Sequence, residues 1–409
     1  MAALAAALKG PRHSEAIMSR MKRVFALVVL VVLAGAHSLA QPRLTFDYPA
    51  MAKRIVQQLA LKPGERVMSI AHPGLFVELL PHIRYEVMRA GGVDLGVVEV
   101  LAEPWPESFE TPVLIKGARE SRSLYKAMFR DVDAAIMMPG ANTTHPAYLA
   151  MQDWLKDDLT EHRGRRTIHF HWLEAGSAYP IAGQPLPPRF ALDEFYQRAL
   201  LQTDYQALAA AQRKFADALR SGDEVHISSP LGTDLRFRAG DRPVNLQDGD
   251  ASQSRAARGK VLVDHEIELP AGAIRVAPIE ESVEGVIAFP PSQWDGRPVD
   301  GLRLRFSKGR VIEITARSGE DADEAEMQKA GASGRAFREF ALGMNPLLAV
   351  PERQPWIPYY GYGSGVVRLS LGDNTELGGN VAGGYVRWNF FTDLTVMVGG
   401  TTWVRGGRM

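Results

Sequence analysis

Two histidines separated by one residue, His169 and His171, stand in the apolar stretch Thr167-Ile168-His169-Phe170-His171-Trp172. On an extended chain, side chains two positions apart share a face, so both imidazoles point the same way, as paired metal ligands must. A third ligand is required, and His145 or Glu174 could supply it. Strand His-x-His pairs also serve ordinary packing, so the pattern leaves both uses open. The chain contains no G-x-x-x-x-G-K-[ST] loop, no G-x-G-x-x-G after a strand, no H-E-x-x-H and no G-x-S-x-G. Nucleotide binding and serine hydrolysis lose most of their support. Absence of cysteine removes disulfides, thiolate metal sites, iron–sulfur clusters and cysteine nucleophiles. Chemistry here must run on His, Asp, Glu, Ser, Thr, Tyr or Lys.

The elements that position these residues divide the chain near residue 222. Before it, short apolar runs at 66–71, 93–101, 134–138 and 167–172 alternate with amphipathic stretches, which predicts an α/β domain over 41–222. Helical spacing over 192–220 predicts one long connecting helix. Beyond it, runs at 225–229, 235–238, 261–269, 286–289, 302–306, 311–315, 366–371 and 385–398 predict a β-rich (α+β) domain over 223–409. Residues 302–306 and 311–315 form the clearest hairpin, a helix is expected over about 321–330, and a helical turn over 337–340. The segment holding Trp356, Tyr359, Tyr360 and Tyr362, punctuated by Pro and Gly, reads as a surface loop.

The chain has 409 residues, 47 basic against 47 acidic, and 46% hydrophobic content. That composition supports globular domains and offers no field for a nucleic-acid backbone. Lys22 and Arg23 precede an uncharged run from Val24 to Ala36, followed by Ser38-Leu39-Ala40. This pattern predicts a Sec signal peptide over 1–40, cleaved after Ala40, and a periplasmic or secreted protein. The apolar run is shorter than the roughly 17–25 residues of a spanning helix, so no stable membrane insertion is expected after cleavage.

From residue 225 onward, several blocks occur in one order: Ser229-Pro230-Leu231-Gly232-Thr233-Asp234-Leu235, Glu268-Leu269-Pro270-Ala271-Gly272, Pro278-Ile279-Glu280-Glu281-Ser282-Val283-Glu284-Gly285, Glu339-Phe340-Ala341-Leu342-Gly343-Met344-Asn345-Pro346 and Leu369-Ser370-Leu371-Gly372-Asp373-Asn374, then Gly378-Gly379-Asn380. Together they resemble the aminopeptidase T family, the thermophilic-type metallopeptidases. The resemblance implies an N-terminal α/β domain, a β-rich catalytic domain, a homodimer, and removal of N-terminal amino acids by a pair of divalent metals such as zinc, cobalt or manganese. It also places the metal ligands: the first falls on Ala273, the second on Glu339, the third on Arg368, and a terminal His-Trp-Asp triplet on Arg387-Trp388-Asn389. The family's active-site tyrosine falls on Thr375.

Only Glu339 can serve as an anionic ligand. Alanine has no ligand atom, arginine is a permanent cation, and asparagine offers a neutral carbonyl. A related branch of the fold opens dihydroxypyridine rings with one ferrous iron on similar ligands, which are missing here too. The leading expectation is therefore a metal-free homologue that binds a peptide or small anionic ligand without hydrolysis, using Arg368, Arg387, Asn389 and Glu339. Its rival at the same residues is an internal Arg368–Glu339 salt bridge. Two other readings stay open: an active metallo-aminopeptidase with a rearranged site drawing on Glu339, His169, His171 or His265, and a metal-free enzyme in the same cavity. Asp373-Asn374 reads as turn chemistry, and Glu280-Glu281 as support for a strand end.

Overall fold

The computed structural model describes residues 45–409 apart from 73, 75, 101–107, 141–144 and 173–177. The signal-peptide segment and Glu174 lie outside the described residues. Phe46–Met409 form one compact unit. Among the described residues no helix is long and apolar enough to cross a membrane.

The chain opens with helix α1 (Tyr48–Leu59), whose Met51, Ala52, Ile55, Val56 and Leu59 fall on one buried stripe. Asp47 caps it by accepting from the Ala50 N–H, and Ala60 closes it in the left-handed region. There follow β1 (Arg66–Ala71), α2 (Leu79–Arg89), β2 (Val93–Glu99), α3 (Thr111–Phe129), β3 (Ala134–Met137), α4 (Pro146–Glu161), β4 (Arg166–Phe170) and the short β5 (Ala178–Pro180). Strands β1–β4 lie parallel in the order β2-β1-β3-β4. The central strands are buried on both faces, as helix-covered parallel strands must be.

The expected long helix over 192–220 is two helices, α5 (Arg189–Gln202) and α6 (Tyr205–Arg220). Thr203 is extended, and Asp204 starts α6 by accepting from the N–H groups of Gln206 and Ala207. Apolar periodicity runs through this break because both helices bury the same side of the chain; the capping aspartate is what interrupts them.

Then come β6 (Glu224–Ser228), β7 (Asp234–Arg238), β8 (Asn245–Leu246), β9 (Glu266–Leu269), β10 (Ala273–Val276), β11 (Glu284–Ala288), the small pair β12 (Ser292–Trp294) and β13 (Arg297–Val299), β14 (Arg303–Ser307) and β15 (Arg310–Thr315). Helix α7 (Glu320–Lys329) leads to β16 (Phe337–Gly343), β17 (Trp356–Pro358), β18 (Val367–Gly372), β19 (Val386–Phe391), β20 (Thr395–Val398) and β21 (Thr401–Val404). The β14–β15 hairpin turns on Lys308 and Gly309, both at positive φ as a two-residue turn between right-twisted strands needs.

Two antiparallel sheets result, in the orders β19-β18-β16-β10-β8 and β15-β14-β11-β7-β6-β20-β21. The stretch expected as a helical turn at 337–340 is the first half of β16, an entirely buried central strand. The run expected as one strand over 385–398 supplies β19 and β20, which belong to different sheets. Residues 261–269 begin with a 3₁₀ turn (Leu262–Asp264) before β9.

Strand β9 pairs parallel with β4 and completes the first sheet, and β17 pairs with β5. Residues from both sides of position 222 thus share one sheet. Arg166 fastens this region from within: it is buried and donates to Glu65, to the Leu59 carbonyl at 3.1 Å and to the Ala251 carbonyl at 2.8 Å. Substituting Asp204→Ala removes the cap of α6 and is expected to lower stability by about 1 kcal/mol, read by chemical denaturation with the slope unchanged.

Candidate functional site

Strands β10, β16 and β18 carry the centre of the site. Their register sets Arg275 beside Ala341 and Ala341 beside Arg368, so Arg275, Glu339, Ala341 and Arg368 share one face. A register shift between Phe337 and Glu339 marks a bulge, which lets the consecutive residues Arg338 and Glu339 reach the same cluster.

Glu339 is 0% exposed and both its carboxylate oxygens are taken by guanidinium groups. Arg368 donates from Nε to Oε1 at 2.8 Å and also from Nη2 to the same oxygen. Arg275 Nη2 donates to Oε2 at 3.1 Å, and Arg338 Nε lies 3.3 Å from that oxygen. Arg275 Nη2 reaches Glu376 Oε1 at 2.7 Å, and Arg338 pairs with the same oxygen. Burial alone would raise the Glu339 carboxyl, but Arg275, Arg368 and Arg338 overcome it and hold the group well below the usual carboxylate range. Glu376 is likewise lowered: burial opposes ionisation, and Arg338 and Arg275 prevail.

Arg368 is further fixed by a 3.1 Å hydrogen bond to the Tyr360 carbonyl, and its guanidinium lies 5.3 Å from the Trp388 ring and 5.9 Å from the Tyr362 ring. The Arg368–Glu339 salt bridge therefore exists, as part of a larger network. The residues do not fit a dimetal centre at this place. Ala273 is buried and brings no ligand atom, Arg368 occupies the space beside Glu339 with positive charge, and the one retained carboxylate has no free oxygen.

Arg387 and Asn389 do not converge with Arg368. Arg368 pairs with Phe390, and Leu369 with Asn389, so Arg387 and Asn389 lie on the opposite face of β19. Arg387 donates to Glu326 Oε1 and the Gln293 carbonyl, both at 2.7 Å, and lies 3.4 Å from the Trp294 ring centre. Asn389 accepts from Arg387 Nε and donates to the Leu369 carbonyl. The residues of β19 on the Arg368 face are Val386, Trp388 and Phe390.

Other candidates are structural. Asp373 accepts from the N–H groups of Thr375, Gly383 and Gly384 and from the Thr375 hydroxyl, a turn-forming role. Glu280 accepts from Asn374 and the Asn380 N–H and pairs with Arg242, while Glu281 is exposed. The aromatic segment is no surface loop: Trp356, Tyr359 and Tyr362 are buried, and the Tyr359 hydroxyl donates to the Leu269 carbonyl. Its Pro and Gly residues shape a buried turn, which composition alone does not distinguish from an exposed one.

His169 and His171 do share a face of β4, with ring centres 5.7 Å apart. Burial, then His171, pushes His169 down to about 3, so it is neutral at physiological pH. His145 sits at the start of α4, accepting from the Ala147 N–H. His265 lies away from this pair, its Nδ1 2.8 Å from the Arg165 carbonyl and 3.6 Å from Asp158. Sequence reasoning missed Glu266 and Glu268, which β9 sets directly beside His169 (Thr167 pairs with Glu266, His169 with Glu268). Their signal was present as a second alternating acidic pair, matching the His-x-His spacing. Among the described residues, no group of three or more His, Asp or Glu side chains is placed to hold a metal ion.

Glu339→Gln is expected to cost about 3–5 kcal/mol, because it leaves buried guanidinium groups without their carboxylate. A carboxyl held below its ordinary range stabilises the fold above that range and loses the contribution as pH falls through it. Thermal unfolding followed from pH 7 to pH 3 should therefore drop more steeply for the wild type than for Glu339→Gln.

Residues 201–347 match the family described as thermophilic metalloprotease (M29). No curated protein matches the chain. Among solved structures, 2,5-dihydroxypyridine dioxygenase from Pseudomonas putida KT2440 is similar at 14% identity and a TM-score of 0.59, covering 88% of this chain and 96% of that one. Wild-type AmpT from Thermus thermophilus is similar at 17% identity and a TM-score of 0.56, covering 88% and 98%. Those identities establish a shared fold and leave the chemistry to the site. Residues 201–347 are thus similar to the thermophilic metalloprotease (M29) family, within a fold shared with the dioxygenase and with AmpT.

Proposed function

We propose that this chain is an exported, homodimeric protein that uses the aminopeptidase-T fold to bind a peptide or other small carboxylate-bearing ligand, without metal-dependent hydrolysis. The observation that carries the reading is the complete engagement of Glu339 by arginines. A metal would have to displace guanidinium groups that are themselves buried and held by the network, against their positive charge.

The binding face is the accessible side of the same cluster. Trp388 is 38% exposed and stands edge-on to Tyr360, with ring centres 5.1 Å apart. His171 lies 5.4 Å from Tyr360, and Tyr179 packs 4.4 Å from Phe390. Half-buried rings over the Arg368 guanidinium combine apolar contact area with a cation beneath, which suits a ligand bearing both an apolar side chain and a carboxylate. Export rests on the signal peptide pattern, and dimerisation on the family resemblance.

Binding of a Leu-Gly dipeptide, measured by titration calorimetry on the mature chain, is expected to weaken roughly five- to thirty-fold in Trp388→Ala, the loss of an aromatic anchor of about 1–2 kcal/mol. Release of leucine from Leu-Gly on addition of zinc, cobalt or manganese, with near-stoichiometric bound metal, would overturn the reading in favour of a rearranged aminopeptidase.

A further inference from the structure

Resting on that ligand-binding reading, we propose that Glu266 and Glu268 of β9, together with His169 of β4, form a site for a primary ammonium group, such as the α-ammonium of an amino acid or peptide. On adjacent parallel strands, His169 of β4 and Glu266 and Glu268 of β9 project from one face, and the His171 ring just beyond β4 lies 5.7 Å from that of His169. Glu266 is 8% exposed and His169 4%. Glu266 Oε1 and His169 Nε2 lie 3.9 Å apart, and neither has a hydrogen-bond partner among the described residues; nor has Glu268 Oε2. Buried acceptors without donors are costly, and several together point to a donor-rich ligand.

The chemistry of the acceptors selects the ligand. Two acidic side chains offer an anion no positive charge. A metal ion needs its ligands gathered at short range, and among the described residues no such group of three is placed here. An ammonium carries three hydrogens with no acceptor of its own. Acceptors 3.9 Å apart suit two hydrogens of one nitrogen at ordinary lengths of about 2.8–2.9 Å.

The surroundings keep the site quiet until a cation arrives. Burial, then the charges of Glu376 and Glu268, push the Glu266 carboxyl up to about 8. A hydrogen bond from Gln152 of α4 and then the charge of Arg275 of β10 oppose this, while Tyr148 of α4 lies against His169 with ring centres 6.0 Å apart. Burial also lowers His171. The array thus presents a neutral imidazole and, at Glu266, a carboxyl that burial keeps protonated near neutral pH and that the charge of a bound ammonium would ionise.

The site adjoins the proposed binding face through His171, whose ring meets both His169 and Tyr360. A ligand with an ammonium in the Glu266–His169 gap would have its remaining groups directed toward Tyr360, Trp388 and Arg368.

The test compares ligands that differ only in the amine, by titration calorimetry on the mature chain. L-leucinamide should bind at least roughly tenfold more tightly than 4-methylpentanamide, which has the same side chain and amide but no amine. Glu266→Gln, which keeps the side-chain shape, should erase that difference. Equal binding of the two amides, or an undiminished preference in Glu266→Gln, overturns the ammonium site. Leu-Gly and N-acetyl-Leu-Gly separate this inference from the broader reading: equal binding of both dipeptides rejects the ammonium site and leaves peptide binding intact. Binding of leucinamide without either dipeptide keeps the ammonium site and rejects peptide binding. Zinc binding that requires Glu266, with leucinamide inert, rejects it in favour of a metal.

Discussion

A carboxylate with no access to water, Glu339, is held by guanidinium groups from its own strand and from both neighbours. A lone buried charge is prohibitively costly, so each member requires the others. Arg275 and Arg338 extend the arrangement to Glu376, which lies in the 3₁₀ turn Thr375–Leu377 after β18. The network therefore cross-links β10, β16, β18 and that turn. It also accounts for the bulge at Arg338: a regular strand would send residues 338 and 339 to opposite faces, and the cluster needs both.

The same arrangement is compatible with sequence blocks that resemble the aminopeptidase T family surrounding a site of different composition. Asn345, in the Leu-Gly-Met-Asn-Pro block, donates to the Ala271 carbonyl and to the Thr203 hydroxyl, and its carbonyl oxygen caps Leu347. Gly272, in the Pro-Ala-Gly block, passes so close to Tyr362 that a β-carbon would lie 2.6 Å from its carbonyl oxygen. Glu280 ties the Asn374 and Asn380 turn to Arg242. These residues satisfy backbone and turn geometry and have no part in the chemistry of Glu339. A ligand set can change among them while the chain keeps its fold.

Much of the fold was legible because it rests on period and punctuation. The parallel strands and the β14–β15 hairpin follow apolar spacing bounded by Gly, Pro or Asp, and α7 follows its Ala, Glu and Lys content. What was not legible depended on partners distant in sequence. Residues 337–340 carry charges, Arg338 and Glu339, that suit an amphipathic helix until three guanidinium groups are brought around them. The Trp356 to Tyr362 segment has loop composition but fills the space between α5 and the β4–β9 edge, where the Tyr359 N–H donates to the Tyr196 hydroxyl oxygen. In the site, Glu339 and Arg368 were readable from the sequence blocks, whereas Arg275, Arg338 and Glu376 come from separate segments whose meeting only the sheet register fixes. Glu266 and Glu268 were readable in principle, since they alternate just as His169 and His171 do, but nothing local says that the two pairs lie side by side.

The parity of β19 closes the argument about metal. Trp388 and Phe390 face Arg368, and Arg387 and Asn389 face away. Sliding the strand by one residue would exchange the two faces. It would place Arg387 in a cluster that already holds three guanidinium groups, and break its bonds to Glu326 and Gln293. Asn389 would bring one neutral oxygen. Neither register gives the anionic ligand that a second metal needs, and one of them adds like charge where charge is already balanced by few carboxylates. The strand is held where it is by what its arginine gains on its own face and by the repulsion it avoids on the Arg368 face.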